Sequence, residues 1–318
     1  MVWDAALVVA GLAVLLVAGD MLVRGAVDAS LKLGVPAVLV GLSVVAFGTS
    51  APELVVAVNA VLAGVPGLAL GNVVGSNTAN VLLVLGAPAL LFGICPAADR
   101  DTRRNFVIML AVSVLFIALC MAGPFRGPHA LVLLGALAAV LAEWWRSAGR
   151  HRGLAAKIPE RADRALRWPL VLMLVGVGLV GLPLGAEMLV RGSVSMATAF
   201  GVSETAIGLT IVAAGTSLPE LATTLMAARR REVGVALGNV IGSNIFNLLA
   251  VIGIAGLVGP LPVPDGMLRV DLWVMLAASA VLAPVIAGRV KLSRPLGLGL
   301  TAAYAAYVTL LFINGGLW

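Results

Sequence analysis

Apolar residues do not alternate along this chain; they run. Long, mostly apolar stretches cover residues 3–27, 36–62, 68–92, 105–124, 128–146, 168–198, 203–228, 234–258, 269–288 and 295–316, with short polar segments between them. A helix that crosses a bilayer needs about 20 mostly apolar residues. The pattern therefore predicts an all-α polytopic membrane protein with ten transmembrane helices. The first and sixth runs are longer than a perpendicular crossing needs and are expected to tilt.

Polar residues inside those runs are few, and they cluster. "AFGTSAPEL" at 46–54 puts Thr49, Ser50, Pro52 and Glu53 deep in the second run, and "AAGTSLPEL" at 213–221 does the same in the seventh. A carboxylate at membrane depth costs several kcal/mol, and a proline removes a backbone donor and clashes with the turn before it.

These segments belong to a long internal repeat. "MLVRG" occurs at 21–25 and 188–192, "GTSAPEL" at 48–54 matches "GTSLPEL" at 215–221, and "GNVVGSNTAN" at 71–80 matches "GNVIGSNIFN" at 238–247. All three pairs share an offset of 167 residues, and close to half the positions of 20–86 are identical to 187–253. The expected organisation is a five-helix repeat over 1–146, with motifs at 41–60 and 71–86, and a second over 168–318, with motifs at 208–227 and 238–253. A basic linker at 147–167 joins them. Each half has an odd number of helices, so the second enters the membrane from the opposite side. Inverted repeats of this kind place a substrate site near the midplane, at the repeat interface.

Composition agrees with the run pattern. The chain has 318 residues, 61% hydrophobic and 11% charged, with mean hydropathy +1.10, against roughly 25% charged in soluble domains. The 37 glycines suit helices that approach closely through small residues. A net charge of +6 does not point to nucleic acid, because the basic residues sit in short loops as topology signals. With the N-terminus outside, the inside loops hold 18 of the 21 basic residues, and only Arg126, Arg191 and Arg269 fall outside. The positive-inside rule then puts both termini outside and the central loop in the cytoplasm. That loop reads as a solvated, headgroup-facing segment. The first run lacks a basic leader and reads as a retained helix. Compact length and short loops suggest a prokaryotic inner membrane. Cys95 and Cys120 read as core thiols.

Chemistry concentrates in the repeated motifs. Pro52 and Pro219, with Gly48 and Gly215, break their helices, and in lipid the freed backbone groups must line a cavity or meet a ligand. Beside the breaks stand the hydroxyls of Thr49, Ser50, Thr216 and Ser217 and the carboxylates of Glu53 and Glu220. In the second motif, Ser76 and Asn80 are four apart on one helix face, as are Ser243 and Asn247. Asn77 and Asn244 are expected to point elsewhere, to backbone or helix packing. All of these are oxygen ligands, the set that hard cations such as Ca²⁺ prefer. His129 and His151 lie at loops and read as solvated. Asp20 and Glu187 are expected to pair with Arg24 and Arg191 at i+4.

At these residues the sequence resembles the cation/calcium exchanger superfamily, the sodium/calcium exchangers, whose signature is "GTSxPEL" with "GNVxGSNxxN" in each half. The resemblance implies ten helices, inverted repeats, and a core made by helices two, three, seven and eight. It implies Glu53 and Glu220 as central ligands shared by Ca²⁺ and Na⁺, with Thr49 and Thr216 contributing carbonyl and hydroxyl oxygens. Ser50, Ser217, Ser76 and Ser243 would complete Na⁺ sites, Ala46 and Ala213 would lend carbonyls, and Asn80 would lie in the middle. One departure stands out. Where the archaeal-type pattern has an aspartate, this chain has Asn247, which leaves two core carboxylates.

The expected function is antiport of Na⁺ against Ca²⁺ by alternating access, electrogenic at three Na⁺ per Ca²⁺. Helices one and six would slide across the core, with Gly25 and Gly192 as bend points. No cofactor, enzymatic activity or obligatory protein partner is expected beyond the ions and the bilayer. The alternatives are H⁺-coupled exchange, transport of another divalent ion, a cation channel, and an intramembrane enzyme built on the paired glutamates.

Overall fold

The computed structural model describes residues 2–93, 99–155, 166–200 and 215–313. Among them every regular element is helical. Ala213 and Cys95, named above, lie outside the described residues, as does the start of the seventh run.

The apolar runs became helices close to their expected bounds. We label them α1 (Val2–Leu33), α2 (Ala37–Thr49), α3 (Ala51–Leu62), α4 (Pro66–Phe92), α5 (Arg100–Met121), α6 (Gly127–Ala155), α7 (Trp168–Ala199), α8 (Leu218–Arg229), α9 (Val233–Val258), α10 (Met267–Ile286) and α11 (Arg294–Ile313). Among the described residues seven helices are long and apolar enough to cross a membrane, and eight if α2 and α3 form one span bent by 41°.

Burial orders the helices. The most apolar part of α9 is 89% buried and that of α4 72%, whereas α1 and α7 reach 33% and α6 22%. So α4 and α9 are the centre and α1, α7 and α6 face the surrounding medium. This matches their composition, because α1 and α7 expose large apolar side chains such as Val9, Val17, Leu172 and Val180.

Small residues set the closest approaches. Along α1 and α7, Leu22 lies on Gly178, Ala18 on Gly181, Leu15 on Gly185, and Leu7 and Val8 on Gly192. One number falls as the other rises, so these two long helices run antiparallel along each other. Gly25 and Gly192, expected as bend points, lie inside uninterrupted helices. They act as contact points instead: a Cβ on Gly192 would stand 2.6 Å from the Asp4 carbonyl oxygen, and one on Gly25 3.0 Å from the Val175 nitrogen. In contrast, α2 and α9 run in the same direction, with Val38 at Gly234 and Gly238 and Leu42 at Gly242.

Elements recur at the 167-residue spacing of the sequence. Helix α3 at 51–62 answers to α8 at 218–229, and the α-helical stretch Pro66–Ala79 answers to Val233–Phe246. The π-bulges Asn80–Val84 in α4 and Asn247–Val251 in α9 begin at equivalent residues. Ser50 and Ser217 share nearly one backbone geometry, φ −83°, ψ 2° and φ −87°, ψ 2°.

Two expectations on charge pairing divide. Glu187 pairs with Arg191 at 2.5 Å, i to i+4. Asp20 does not pair with Arg24; both of its oxygens accept from Arg230, at 2.5 and 2.7 Å. The packing of α1 on α8 brings that guanidinium across, and its planar fork matches a carboxylate at two points. Arg230 stands at the equivalent of Ala63, so the first half has no counterpart.

Candidate cation-binding site

The site begins with two broken helices. Ser50 leaves helical geometry, and Pro52 then sits in the first turn of α3, where its missing N–H costs nothing. Pro219 does the same after Ser217 in α8. Each break places a glutamate in the first turn of the new helix, Glu53 in α3 and Glu220 in α8. Carboxylates are favoured there by the helix dipole. Both glutamates are 0% exposed.

Around them the structure gathers most of the sequence-predicted oxygens. Ser50 Oγ donates to Glu220 Oε1 at 3.4 Å. The hydroxyls of Thr49 and Ser243 lie beside the same carboxylate and 3.4 Å from each other. Thr49 Oγ1 also reaches the Ala46 carbonyl at 3.3 Å. Thr216 lies beside Glu53 and donates to Asn72 Oδ1 at 3.3 Å. Ser76, Ser217, Asn80 and Asn247 are buried, at 4% exposure or less. The two glutamates are close enough to feel each other's charge.

Asn72 and Asn239 are site residues that the sequence reading passed over. Asn239 accepts from Thr49 at 3.2 Å and donates to the Glu220 backbone carbonyl at 3.3 Å and to Thr224 Oγ1 at 3.0 Å. It braces the break in α8 against α9. The signal was present: Asn72 and Asn239 are an identical pair at the 167-residue offset, inside the motif already quoted.

Several buried oxygens are left over. Among the described residues, Glu53 Oε1 and Oε2, Glu220 Oε2, Asn80 Oδ1 and Asn247 Oδ1 have no hydrogen-bond partner. Removing one partner of a buried charge pair costs about 3–5 kcal/mol. Two buried carboxylates that feel each other's charge, with unpartnered oxygens, make a poor fold and a good candidate cation site. These five atoms are acceptors, which is what a hard cation needs; the one buried side-chain donor left without a partner among the described residues is Asn72 Nδ2. Among the described residues no three of His, Cys, Asp and Glu come together, so the set is two carboxylates among neutral oxygens. The histidines stand elsewhere: His129 Nδ1 accepts from the Arg126 amide, and His151 pairs with Asp101 at 2.7 Å.

The chain is similar to known proteins. The profile of the family described as sodium/calcium exchanger protein matches residues 3–143 and 170–313. The putative antiporter CaxA of Alkalimonas amylolytica is 37% identical over 96% of this chain and 97% of its own length. The sodium/calcium exchanger MaX1 of Methanosarcina acetivorans is 30% identical over 95% and 96%. A solved structure of the sodium-calcium exchanger NCX_Mj, soaked with zero Na⁺ and Ca²⁺, superposes with a TM-score of 0.83 at 29% identity, covering 98% of this chain and 99% of that one. Two matched halves, near-complete coverage and a shared helical fold lead to one conclusion: this chain is a multi-pass membrane protein of the sodium/calcium exchanger family.

Proposed function

We propose that the chain exchanges Na⁺ for Ca²⁺ by alternating access at a site built on Glu53 and Glu220. The observation that carries this is the pair of buried glutamates with unpartnered oxygens, at equivalent positions of the two halves, inside a shell of hydroxyls and amides. Ca²⁺ and Na⁺ compete for the same oxygens. Either load neutralises the two carboxylates and permits occlusion; the empty site opposes it, which suppresses leak. Thr49, Thr216, Ser50, Ser217, Ser76, Ser243, Asn80, Asn247 and the Ala46 carbonyl supply the neutral ligands. Ala213 is assigned the matching role by its repeat position.

The same reading covers the architecture. Ten spans form two five-helix repeats of opposite orientation, joined by a cytoplasmic linker, with both termini outside a prokaryotic inner membrane. The antiparallel packing of α1 on α7, which are repeat equivalents, supports the inversion. Their long shared face suits sliding as a pair across the core, where they pack on α2 and α8. At three Na⁺ per Ca²⁺, one net charge moves per cycle.

The test is Ca²⁺ uptake into proteoliposomes loaded with Na⁺, with K⁺-loaded and pH-gradient controls. Uptake is expected to need the outward Na⁺ gradient and to fall to the level of protein-free vesicles in Glu53→Gln. Uptake driven only by the pH gradient would assign H⁺ coupling instead, and full activity in Glu53→Gln would overturn the site.

A further inference from the structure

Helices α4 and α9 meet through four asparagines, each 1% exposed or less. Asn77 Nδ2 donates to the Asn244 backbone carbonyl at 3.2 Å, and Asn244 Nδ2 donates to the Asn77 backbone carbonyl at 3.3 Å. Asn247 Nδ2 donates to Asn77 Oδ1 and Asn80 Nδ2 to Asn244 Oδ1, both at 3.0 Å. The node has two-fold symmetry, and every bond crosses from one helix to the other.

Its polarity is forced. An amide side chain is ordinarily ambiguous between its oxygen and its nitrogen. A backbone carbonyl only accepts, so Asn77 must turn its NH₂ to residue 244. That leaves Asn77 Oδ1 facing Asn247, which must answer with its own NH₂. The oxygen of Asn247 is then the end left over, and the same sequence of steps from Asn244 leaves Asn80 Oδ1. Both of those oxygens are buried without a partner. Both belong to the first residue of a π-bulge, a local widening that recurs at functional sites.

We infer that Asn77 and Asn244 are positioning residues of the cation site. Each holds the π-bulge asparagine of the opposite helix so that its carbonyl oxygen, and not its NH₂, is offered to the ion. This rests on the proposed function, since it takes Asn80 and Asn247 as cation ligands. It goes beyond it by placing control of ligand polarity in two residues that do not touch the ion. The node also needs a donor at 247, so the neutral amide there is what the neighbouring Asn77 requires.

The experiment is a double-mutant cycle, read as CaCl₂ affinity by isothermal titration of the purified full chain in detergent. Loss of a partner that orients a metal ligand typically weakens binding about 10- to 100-fold, and Asn244→Ala is expected in that range. Asn80→Ala added to it should cost less than about twofold more, because Asn244 acts through Asn80. Asn247→Ala added to Asn244→Ala should instead multiply in full: Asn247 is oriented by Asn77, whose bond goes to the backbone of residue 244 and survives that substitution. A packing role alone would couple Asn244 to Asn80 and Asn247 alike. Equal coupling to both, or unchanged affinity in Asn244→Ala, overturns the inference. Should the alanine variant aggregate, Asn244→Ser carries the same cycle, since small polar residues are tolerated between packed membrane helices. Wild-type protein that binds neither CaCl₂ nor NaCl would overturn the functional reading itself, and the inference with it. Wild-type binding that is lost in Glu53→Gln but kept in Asn244→Ala would overturn the inference alone.

Discussion

Thr49 shows how tightly the site residues are committed. Its hydroxyl stands between the Ala46 carbonyl, Asn239 Oδ1 and Ser243 Oγ, and it is 1% exposed. Valine has the same shape and no hydroxyl, so Thr49→Val leaves Asn239 Oδ1 buried without its donor. The expected cost is about 1–3 kcal/mol, measured as a lower melting temperature in detergent without Ca²⁺. Ca²⁺ affinity should fall as well, because Asn239 braces the backbone that carries Glu220. Unchanged melting would show that Asn239 finds another donor. Much of the site at this scale was legible, because an acidic residue in an apolar run is conspicuous. Asn72 and Asn239 were not separated from their motif, since an asparagine's partners depend on which helix faces it.

At the scale of elements, the contact between α1 and α7 depends on having no side chain at particular positions. A Cβ on Gly178 would stand 2.6 Å from Leu22 Cβ and 2.9 Å from Leu22 Cα. Backbone cannot move aside cheaply, so Gly178→Ala is expected to destabilise by about 1–3 kcal/mol. Gly176, two residues away on α7, has nothing within 4 Å. Gly176→Ala should be neutral or slightly stabilising, since alanine favours helix over glycine by about 1 kcal/mol. Thermal unfolding of the two variants side by side checks the packing, and equal effects would refute it. The sequence marked both helices as long but assigned Gly25 and Gly192 to bending. Contact and bending glycines look alike until the neighbouring helix is in place. Asp20 met the same difficulty: Arg24 is near in sequence, while Arg230 is near only after α8 packs on α1.

For the whole molecule, the question is charge balance. Two carboxylates and a neutral Asn247 let one Ca²⁺ leave the core formally neutral, whereas three Na⁺ leave it with one positive charge. Exchange at that ratio should respond to membrane potential. One charge moved through 100 mV is worth about 2.3 kcal/mol, so the Ca²⁺ ratio reached at equilibrium should shift about fifty-fold. Proteoliposomes clamped with K⁺ and valinomycin at two potentials measure this. A ratio insensitive to potential would mean electroneutral exchange, two Na⁺ for each Ca²⁺.

The order of apolar runs, the 167-residue offset and the two glutamates within spans are properties of the sequence. Hydropathy and repetition are local or self-referential, so they needed no contacts to be seen. They determined a membrane protein with a repeated, oxygen-rich motif. Which oxygens remain free was decided only in three dimensions. Asn77 and Asn80, three residues apart in one motif, both donate to acceptors on α9, but only Asn77 Oδ1 receives a donor, from Asn247, while Asn80 Oδ1 is left over. Hydrogen-bond polarity is set by the partner across the interface, and the partner is chosen by packing.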